Sequence, residues 1–121
     1  MQALRNHSGE LIAYQYLNMI LHPDNLQVLG LVLGNCVFDL KAKVLGKLFQ
    51  EKVYNFSGEV LASRSNASLP LPVNMDTTHC IMDAWKILLM IKDHSCPWVT
   101  TKETWAPASL AEFIYQTDFV T

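Results

Sequence analysis

The chain repeats one short stretch, whose last copy is Tyr54-Asn55-Phe56-Ser57-Gly58-Glu59-Val60-Leu61-Ala62. Related copies occupy residues 4–13, 21–30 and 38–46. Each copy opens with a large apolar residue, spaced from the next by 17, 17 and 16 positions (Leu4, Leu21, Phe38, Tyr54). Each closes on two aliphatic residues and a small one, and the small ones are spaced by 17, 16 and 16 positions (Ala13, Gly30, Gly46, Ala62). Such a regular period predicts a repeated structural unit.

Turn signals divide each unit into two strands. Ser8-Gly9 and Ser57-Gly58 are turn dipeptides between apolar residues, a pattern typical of a tight hairpin. Pro23-Asp24-Asn25 takes the same place in the second unit. Further turns are predicted between the units, at Leu17-Asn18, Gly34-Asn35 and Gln50-Glu51. Each unit is therefore expected to be a β-hairpin of two short strands.

The small residues and the apolar strands predict how the units pack. A small residue after two aliphatic ones allows a sharp bend or a close approach of two backbones. The run from Val28 to Leu33 is apolar on both faces, so one face is expected in the core and the other against helices or a partner subunit. A lone hairpin is marginal in water, whereas four of them around an axis can share one core.

The repeat resembles that of the bacterial four-fold β-flower proteins, in which β-hairpin units surround a pseudo-fourfold axis. The matching residues lie within 3–63 and are Ser8-Gly9-Glu10, Val44-Leu45-Gly46 and Tyr54 to Gly58. The sequence departs from the pattern at Lys41-Ala42-Lys43 and at Leu26, where the turn glycine is missing. The fourth unit also lacks a clear return strand, because residues 63–68 are typical of a loop. The resemblance implies a fold and no particular activity.

The second half of the chain predicts helices. A helix capped by Asn74 or Asp76 is expected to run to about Asp93. Helical spacing predicts its buried stripe, Ile81, Ala84, Leu88 and Ile91, widened by Met82, Trp85, Ile87 and Leu89. Its polar side holds Asp76, His79, Asp83 and Lys86, of which the last two are expected to pair. A final helix follows Pro107 and a capping pattern, with a buried side of Leu110, Phe113 and Ile114.

Length and composition predict one α+β domain over residues 1–121. Four short antiparallel β-hairpin units at 3–63 precede a connecting strap at 64–73 and a helical part at 74–121 with two C-terminal α-helices. Half of the residues are apolar and 17% are charged, which excludes a disordered chain. The net charge is −2 and no Lys/Arg cluster occurs, which argues against a nucleic-acid partner. No apolar run approaches the ~20 residues that cross a membrane.

The N-terminal residues and the cysteines predict a cytoplasmic protein. Residues 1–10 hold no apolar run after Arg5, so they do not resemble a secretory signal. The cysteines are odd in number and widely spaced (Cys36, Cys80, Cys96). In a cytoplasmic chain this favours reduced thiols over a disulfide framework.

A metal site is one candidate for chemistry. Zinc accepts two His and two Cys, which this chain offers as His79, Cys80, His94 and Cys96. His79 and His94 are about 22 Å apart along a helix that rises 1.5 Å per residue. One chain therefore cannot close the site, and only two antiparallel copies could share it. The alternative is a solvated His79 with Cys80 and Cys96 as small buried residues, and no cofactor or metal is predicted.

No catalytic motif stands out. Cys96 with His94 lacks a third group to orient the pair. His22 is better explained by turn chemistry. Glu10 and Glu59 follow the turn glycine in two units and are expected to be solvated turn residues rather than paired acids. We therefore expect a protein without enzymatic activity.

Tryptophans indicate where the protein makes contacts. Trp98 and Trp105 lie in a polar segment and are expected at a subunit contact or a groove rim. Two functions of different class stay open. The favoured one is a cytoplasmic, non-enzymatic assembly or interaction module that forms a homo-oligomer. The alternative is a small-molecule-binding or hydrolytic protein with a pocket between the hairpins and the helices, whose ligand the sequence does not name.

Overall fold

The computed structural model describes residues 1–73, 75–91 and 99–116. The strands within these residues are β1 (Gln2–Arg5), β2 (Leu11–Tyr16), β3 (Met19–Leu21), β4 (Val28–Leu33), β5 (Cys36–Asp39), β6 (Val44–Phe49), β7 (Lys52–Tyr54) and β8 (Val60–Arg64). The helices are α1 (Thr77–Met90) and α2 (Leu110–Gln116). Each strand pairs antiparallel with the next, and β1 pairs with β8, so the sheet closes into a barrel.

The predicted antiparallel β architecture with helices is confirmed in this coarse form. The finer layout differs, because the hairpins are joined into one closed sheet. The two helices also do not cover it together, since α1 packs on the outside of the barrel while Leu110 and Ile114 of α2 join its interior core. The prediction of a loop over residues 63–68 is wrong for its first two residues. Ser63 and Arg64 belong to β8 and pair with β1, which supplies the return strand of the fourth unit.

Short turns and longer loops alternate around the barrel. The connections within each hairpin are longer loops at 6–10, 22–27, 40–43 and 55–59. The connections between hairpins are two-residue turns, as predicted, at Leu17-Asn18, Gly34-Asn35 and Gln50-Glu51. In an up-and-down barrel all the longer loops therefore lie at one end and all the two-residue turns at the other.

The four longer loops share one hydrogen-bond pattern. In each hairpin, the last residue of the first strand or the residue directly after it accepts two backbone N–H groups of the following loop through its side chain (Asn6, His22, Asp39, Asn55). The predicted turn role of His22 is confirmed, because its Nδ1 accepts from the N–H of Asp24 at 3.0 Å. Glu10 and Glu59 also serve turns, since each accepts from the asparagine amide of its loop.

The missing turn glycines leave the loop geometry unchanged. One residue in each longer loop adopts a positive φ, with values of 81°, 59°, 62° and 86° (Gly9, Leu26, Ala42, Gly58). Glycine adopts this conformation without cost, whereas Leu26 and Ala42 adopt it at a cost of about 1–2 kcal/mol. The hydrogen bonds of the loop therefore fix the backbone even where the sequence departs from the repeat.

Each hairpin bends at its small residue, as predicted. The strand register shifts by one residue beside Ala13, Gly30, Gly46 and Ala62. Such a β-bulge bends the strand and increases its twist, which a barrel of short strands needs in order to close. At two of these positions a Cβ atom would overlap a carbonyl oxygen, that of Phe38 beside Gly30 and that of Tyr54 beside Gly46.

The alignment of the opening residues is wrong by one position in the first unit. Leu4 pairs with Ala13, and the residues that pair with the other three small residues are Ile20, Val37 and Val53. Arg5, not Leu4, is therefore equivalent to Leu21, Phe38 and Tyr54. The repeat tolerates arginine there because Arg5 is exposed, whereas the other three are buried.

Two sets of four equivalent side chains form much of the barrel core. One set comes from the residues that pair with the bend positions (Leu4, Ile20, Val37, Val53), and the other from the bulge residues (Ile12, Leu29, Leu45, Leu61). Leu110 and Ile114 of α2 complete this core, as predicted for the final helix. The side chain of Phe113 lies outside the described part of the structure.

The cysteines differ from one another. Cys36, buried in β5, is disulfide-bonded, so the expectation of reduced thiols is wrong for this residue. Cys80 is a free, buried thiol, which confirms its predicted role as a small buried residue. Neither helix within the described residues has the length and hydropathy needed to cross a membrane.

Candidate functional site

The helix α1 begins and ends at defined residues. Asp76 caps it by accepting the N–H of His79 at 2.9 Å, and Ile91 leaves the helical conformation. Asp76 is one of the two capping residues that the sequence predicted, and the other, Asn74, lies outside the described residues. The helix ends before the predicted Asp93, because Ile91 adopts an extended backbone conformation with φ −80° and ψ 113°.

One narrow side of α1 rests on the barrel. Its buried residues Cys80, Ala84 and Ile87 follow helical spacing and pack against outward-facing residues of β3 and β4 (Met19, Leu21, Val28, Leu31). Cys80 and Ala84 are small, so the helix can approach the strands closely. Because the outer surface of a barrel is convex, it covers only this side of the helix.

The adjoining apolar side of α1 faces solvent. Trp85 is 56% exposed and Leu89 is 75% exposed, and Ile81 and Met82 lie beside them. We call these four residues the apolar face of α1. A contiguous apolar patch on the surface of a domain marks an interaction site more often than an isolated exposed side chain does.

The apolar face corrects the predicted buried stripe. The prediction is confirmed for Ala84 and Ile87, and Leu88 and Ile91 are partly buried. It is wrong for the four residues of the apolar face. Helical spacing indicates which residues share a side of a helix, but not how much of that side a curved neighbour covers.

A shallow groove borders the apolar face of α1 on its barrel side. It encloses about 160 Å³, and most of its lining is apolar (Leu17, Asn18, Met19, Leu31, Ile81, Ala84, Trp85, Leu88). This is room for one aliphatic side chain. The groove and the apolar face of α1 share Ile81 and Trp85, so they form one continuous surface.

Leu17 forms the rim of this groove at a strained position. It lies in the turn between β2 and β3 with φ 54°, and it is 66% exposed. This conformation costs a leucine about 1–2 kcal/mol, and the side chain of Leu17 is too exposed for burial to offset that cost. Strain of this kind is found at functional sites. Leu17 was not among the residues expected at a site, although a leucine in a predicted turn was a usable signal.

A charged strip borders the apolar face of α1 on its other side. Lys86 Nζ lies 3.5 Å from Asp83 Oδ1, which confirms the predicted pair, and His79 Nε2 lies 3.3 Å from Asp83 Oδ2. The strip therefore carries charges of both signs. A polar rim around an apolar centre is the usual anatomy of a protein interface.

A larger cavity lies between the loop 22–27 and the first two turns of α1. Its volume is about 540 Å³, with apolar residues such as Tyr14, Leu26 and Met75 on one part and carboxylates on another (Asp24, Asp76, Asp83). The Cys80 thiol, at the edge of this cavity, donates to the carbonyl oxygen of Leu26 at 3.5 Å.

The environment of Cys80 makes the thiol unreactive. Burial raises the pKa of this thiol, and the negative charges of Asp83 and then Asp76 raise it further. The thiolate is the nucleophilic form of cysteine. Cys80 therefore stays protonated at neutral pH and is no candidate nucleophile.

The predicted metal candidates are only partly within the described structure. No group of three or more His, Cys, Asp or Glu side chains in the described ranges could hold a metal ion. His79 is exposed and contacts Asp83. His94 and Cys96 lie outside the described residues, so the intersubunit metal site and the Cys96–His94 pair stay untested hypotheses.

Trp105 packs within its own chain. Its ring stacks on that of His7 with centroids 4.9 Å apart and an interplanar angle of 13°, and its backbone forms a parallel bridge with Val60. The residue is half-buried. Its role at a subunit contact stays a prediction, and Trp98 lies outside the described residues.

The chain matches no protein-family model, no curated protein and no solved structure at a significant level. Its function therefore has to be inferred from the geometry of its own surface.

Proposed function

We propose that the chain is a non-enzymatic interaction module that forms a homo-oligomer through the apolar face of α1. The observation that carries this proposal is the exposure of Trp85 and Leu89 on a helix whose opposite side is already packed. Covering a large apolar side chain gains about 1.5–3 kcal/mol relative to leaving it in water. Aromatic residues and methionine are also enriched at the centres of interfaces, and Trp85 and Met82 supply both.

The mixed charges beside this surface support a protein partner. His79, Asp83 and Lys86 form a polar rim without a dominant sign. Nucleic acid and anionic membrane surfaces select strongly basic patches. Neither partner is part of the proposal, since the net charge of the chain is −2.

Sedimentation velocity of the purified chain tests the proposal. We expect the wild type to sediment as an oligomer at micromolar concentration and Trp85→Glu to sediment as a monomer, because a buried charge at the centre of an interface opposes association. Phe56→Glu is the matched control, since Phe56 is also a half-exposed aromatic residue but lies in the loop 55–59. A wild type that stays monomeric at high concentration, or a Trp85→Glu variant that associates like it, contradicts the proposal.

A small-molecule-binding protein is the second candidate, supported by the cavity beside the loop 22–27. Its volume of about 540 Å³ lies between the strands and α1, in the range of known ligand pockets. A fragment screen by ligand-observed NMR tests it, with Tyr14→Ala as the variant that removes part of the apolar lining. Binding of any fragment that Tyr14→Ala abolishes and Phe56→Glu retains supports this candidate, and the absence of such a fragment rejects it.

The relation to the four-fold β-flower proteins is likewise a proposal. It is supported by four hairpins with equivalent bends and equivalent loop hydrogen bonds. A solved structure of a β-flower protein with the same bulge beside each small residue would support the relation, and one with a different bulge position would reject it.

The cytoplasmic location is also a proposal, and one observation opposes it. Cys36 is disulfide-bonded, and structural disulfides persist mainly in oxidising compartments. Thiol alkylation of cell extracts before purification, followed by mass spectrometry, distinguishes a reduced Cys36 from a disulfide-bonded Cys36. An alkylated Cys36 supports the cytoplasm, whereas a protected Cys36 contradicts it.

A further inference from the structure

We propose that His22 makes the loop 22–27 a pH-sensitive contact, so that protonation of its imidazole loosens the loop and releases its hold on α1. This property is separate from the interaction function proposed above. Four equivalent side chains hold the longer loops at one end of the barrel (Asn6, His22, Asp39, Asn55). Histidine is the only one of these residue types that ordinarily changes charge between pH 5 and 8.

The imidazole of His22 holds its loop through one nitrogen. Nδ1 accepts the backbone N–H of Asp24 at 3.0 Å, and the backbone nitrogen of Asn25 lies 3.4 Å from the same atom. A neutral imidazole has one acceptor nitrogen and one donor nitrogen, whereas both nitrogens of a protonated imidazole are donors. A proton on Nδ1 therefore removes both hydrogen bonds and turns one N–H group toward two others.

The equivalent loops keep their acceptors over the same pH range. Oδ1 of Asn6 and Oδ1 of Asn55 each accept two backbone N–H groups of their loop at 2.9–3.0 Å, and an amide oxygen is an acceptor at any of these pH values. Asp39 accepts through a carboxylate oxygen, and an aspartate is ordinarily ionised above pH 5. Asparagine at position 22 is therefore expected to hold the loop without the pH response.

Leu26 connects this loop to α1. Its carbonyl oxygen accepts from the Cys80 thiol at 3.5 Å, and its φ of 59° is unfavourable for a leucine. When the hydrogen bonds to Nδ1 are lost, residues 23–25 loosen, and Leu26 can leave this conformation and its contact with Cys80. The backbone hydrogen bond from the His22 N–H to the Gln27 carbonyl, at 2.8 Å, still closes the base of the loop. The response is therefore local and leaves the barrel intact.

The charged groups beside the loop modulate this response without replacing the acceptor. The titratable groups that line the two cavities against the loop are of both signs (the N-terminus of Met1, Tyr14, Asp24, Asp76, His79, Asp83, Lys86). Carboxylates favour a protonated His22, whereas an ammonium group or a second protonated histidine opposes it. These groups influence the pH at which His22 takes up its proton, and the loss of the Nδ1 acceptor follows wherever that occurs.

Amide exchange measured by NMR on the full chain tests the loop. The matched amides are those of Asp24, Ser8 and Ser57, each two residues after the side chain that accepts its hydrogen bond. From about pH 7.5 to about pH 5.5, where histidine ordinarily titrates, we expect the protection factor of Asp24 to fall about fivefold relative to the other two, the effect of one lost hydrogen bond. A constant ratio overturns the inference, and this comparison within the wild type needs no variant.

His22→Asn is the matched variant, because it carries the side chain of the first and fourth loops. We expect the protection of its Asp24 amide to follow that of Ser8 and Ser57 at both pH values. His79→Gln removes the other histidine beside the loop and should respond as the wild type does. A response that persists in His22→Asn or disappears in His79→Gln assigns the effect to another group and overturns the inference.

Thiol modification tests the connection to α1. Wild type and His22→Asn are treated with a dipyridyl disulfide, which reacts with thiols in mild acid, and modified Cys80 is quantified by mass spectrometry. Comparison of the two chains at one pH cancels the ordinary pH dependence of thiol reactivity. We expect equal rates at about pH 7.5 and a rate about fivefold higher for the wild type at about pH 5.5. Equal rates at both pH values overturn the inference even where the Asp24 amide responds.

Discussion

Arg64 binds Glu51 and Gln15 where the repeat closes on itself. Its Nη2 and Nε donate to the two carboxylate oxygens of Glu51 at 2.6 and 3.1 Å, and its Nη1 donates to Gln15 Oε1 at 2.9 Å. Gln15 belongs to the first unit and Arg64 to the fourth. At the equivalent places the second and third units have Val32 and Leu48. The contact between the first and fourth units is therefore polar where the equivalent positions of the other two units are apolar.

Arg64→Met removes this junction while keeping most of the side-chain volume. We expect the free energy of unfolding to fall by about 1–2 kcal/mol. This loss is smaller than that for breaking a buried ion pair, because Glu51 is half-exposed and can be solvated when Arg64 is removed. Urea unfolding followed by tryptophan fluorescence measures the change. Lys41→Met, an exposed cation in the loop 40–43, is the control, and an equal loss in both variants would contradict this role of Arg64.

The same junction makes stability depend on pH. The hydrogen bond from Arg64 holds the pKa of Glu51 below its ordinary 4.5, and the Arg64 charge adds to this. A carboxyl group whose pKa is lower in the folded state stabilises the fold above its unfolded pKa, and this stabilisation is lost as the pH falls through the folded value.

Wild-type stability is therefore expected to decline below about pH 4.5, and Glu51→Gln is expected to decline less steeply in that window. The difference between the two chains, measured by urea unfolding across the acid range, isolates Glu51 from the other carboxyl groups. Glu103→Gln, an exposed carboxyl in the C-terminal half, should follow the wild-type profile. Parallel curves for wild type and Glu51→Gln would show that the junction does not titrate.

Gly46→Ala tests the close approach at a bend. The added Cβ would overlap the carbonyl oxygen of Tyr54, a backbone atom that the barrel holds in place. We expect a loss on the order of 3 kcal/mol, the upper range for overpacking. Gly9→Ala is the control, because the added Cβ meets open space. The only expected cost of this substitution is that of placing alanine at a φ of 81°, about 1–2 kcal/mol. A smaller loss for Gly46→Ala than for Gly9→Ala in thermal unfolding would reject the close approach.

Ala42→Gly tests whether the third loop keeps the geometry of the glycine-containing loops. Ala42 has φ 62°, close to the conformation of Gly9 and Gly58. We expect the variant to be more stable by about 0.5 kcal/mol, since relief of the left-handed conformation outweighs the entropy of glycine and the loss of one methyl contact. Ala3→Gly, in β1, should instead be destabilised. A lower melting temperature for Ala42→Gly would contradict this account of the loop.

Local chemistry made most of the barrel predictable from the sequence. The positions of the turns, the longer loops and the bends at 13, 30, 46 and 62 follow from the turn residues and small residues of the repeat. The positive φ of non-glycine residues such as Leu26 and Ala42 does not follow from their residue types. The return strand at Ser63 and Arg64 was missed because its hydrogen-bond partner is β1, some sixty residues away in sequence. Closure of the ring is a long-range property that no local pattern contains.

The candidate site was less predictable for a physical reason. Trp85 and Leu89 look like core residues because apolar spacing is the same whether a neighbour in the fold or a separate molecule covers them. The exposure of these residues depends on the curvature of the barrel beneath α1. Leu17 carried a local signal, a leucine at a turn position that favours glycine or asparagine, and it lies beside this surface.

The pairing of β1 with β8 has a consequence for how this protein can associate. A ring of strands offers a neighbour no row of open backbone N–H and C=O groups, so another chain cannot lengthen the sheet by adding a strand. Contact with other molecules through the ring is thereby limited to side chains, whose shape and charge are specific to each surface. The closed main chain thus opposes fibre growth by strand addition, and the surface that binds a partner has to be built from side chains.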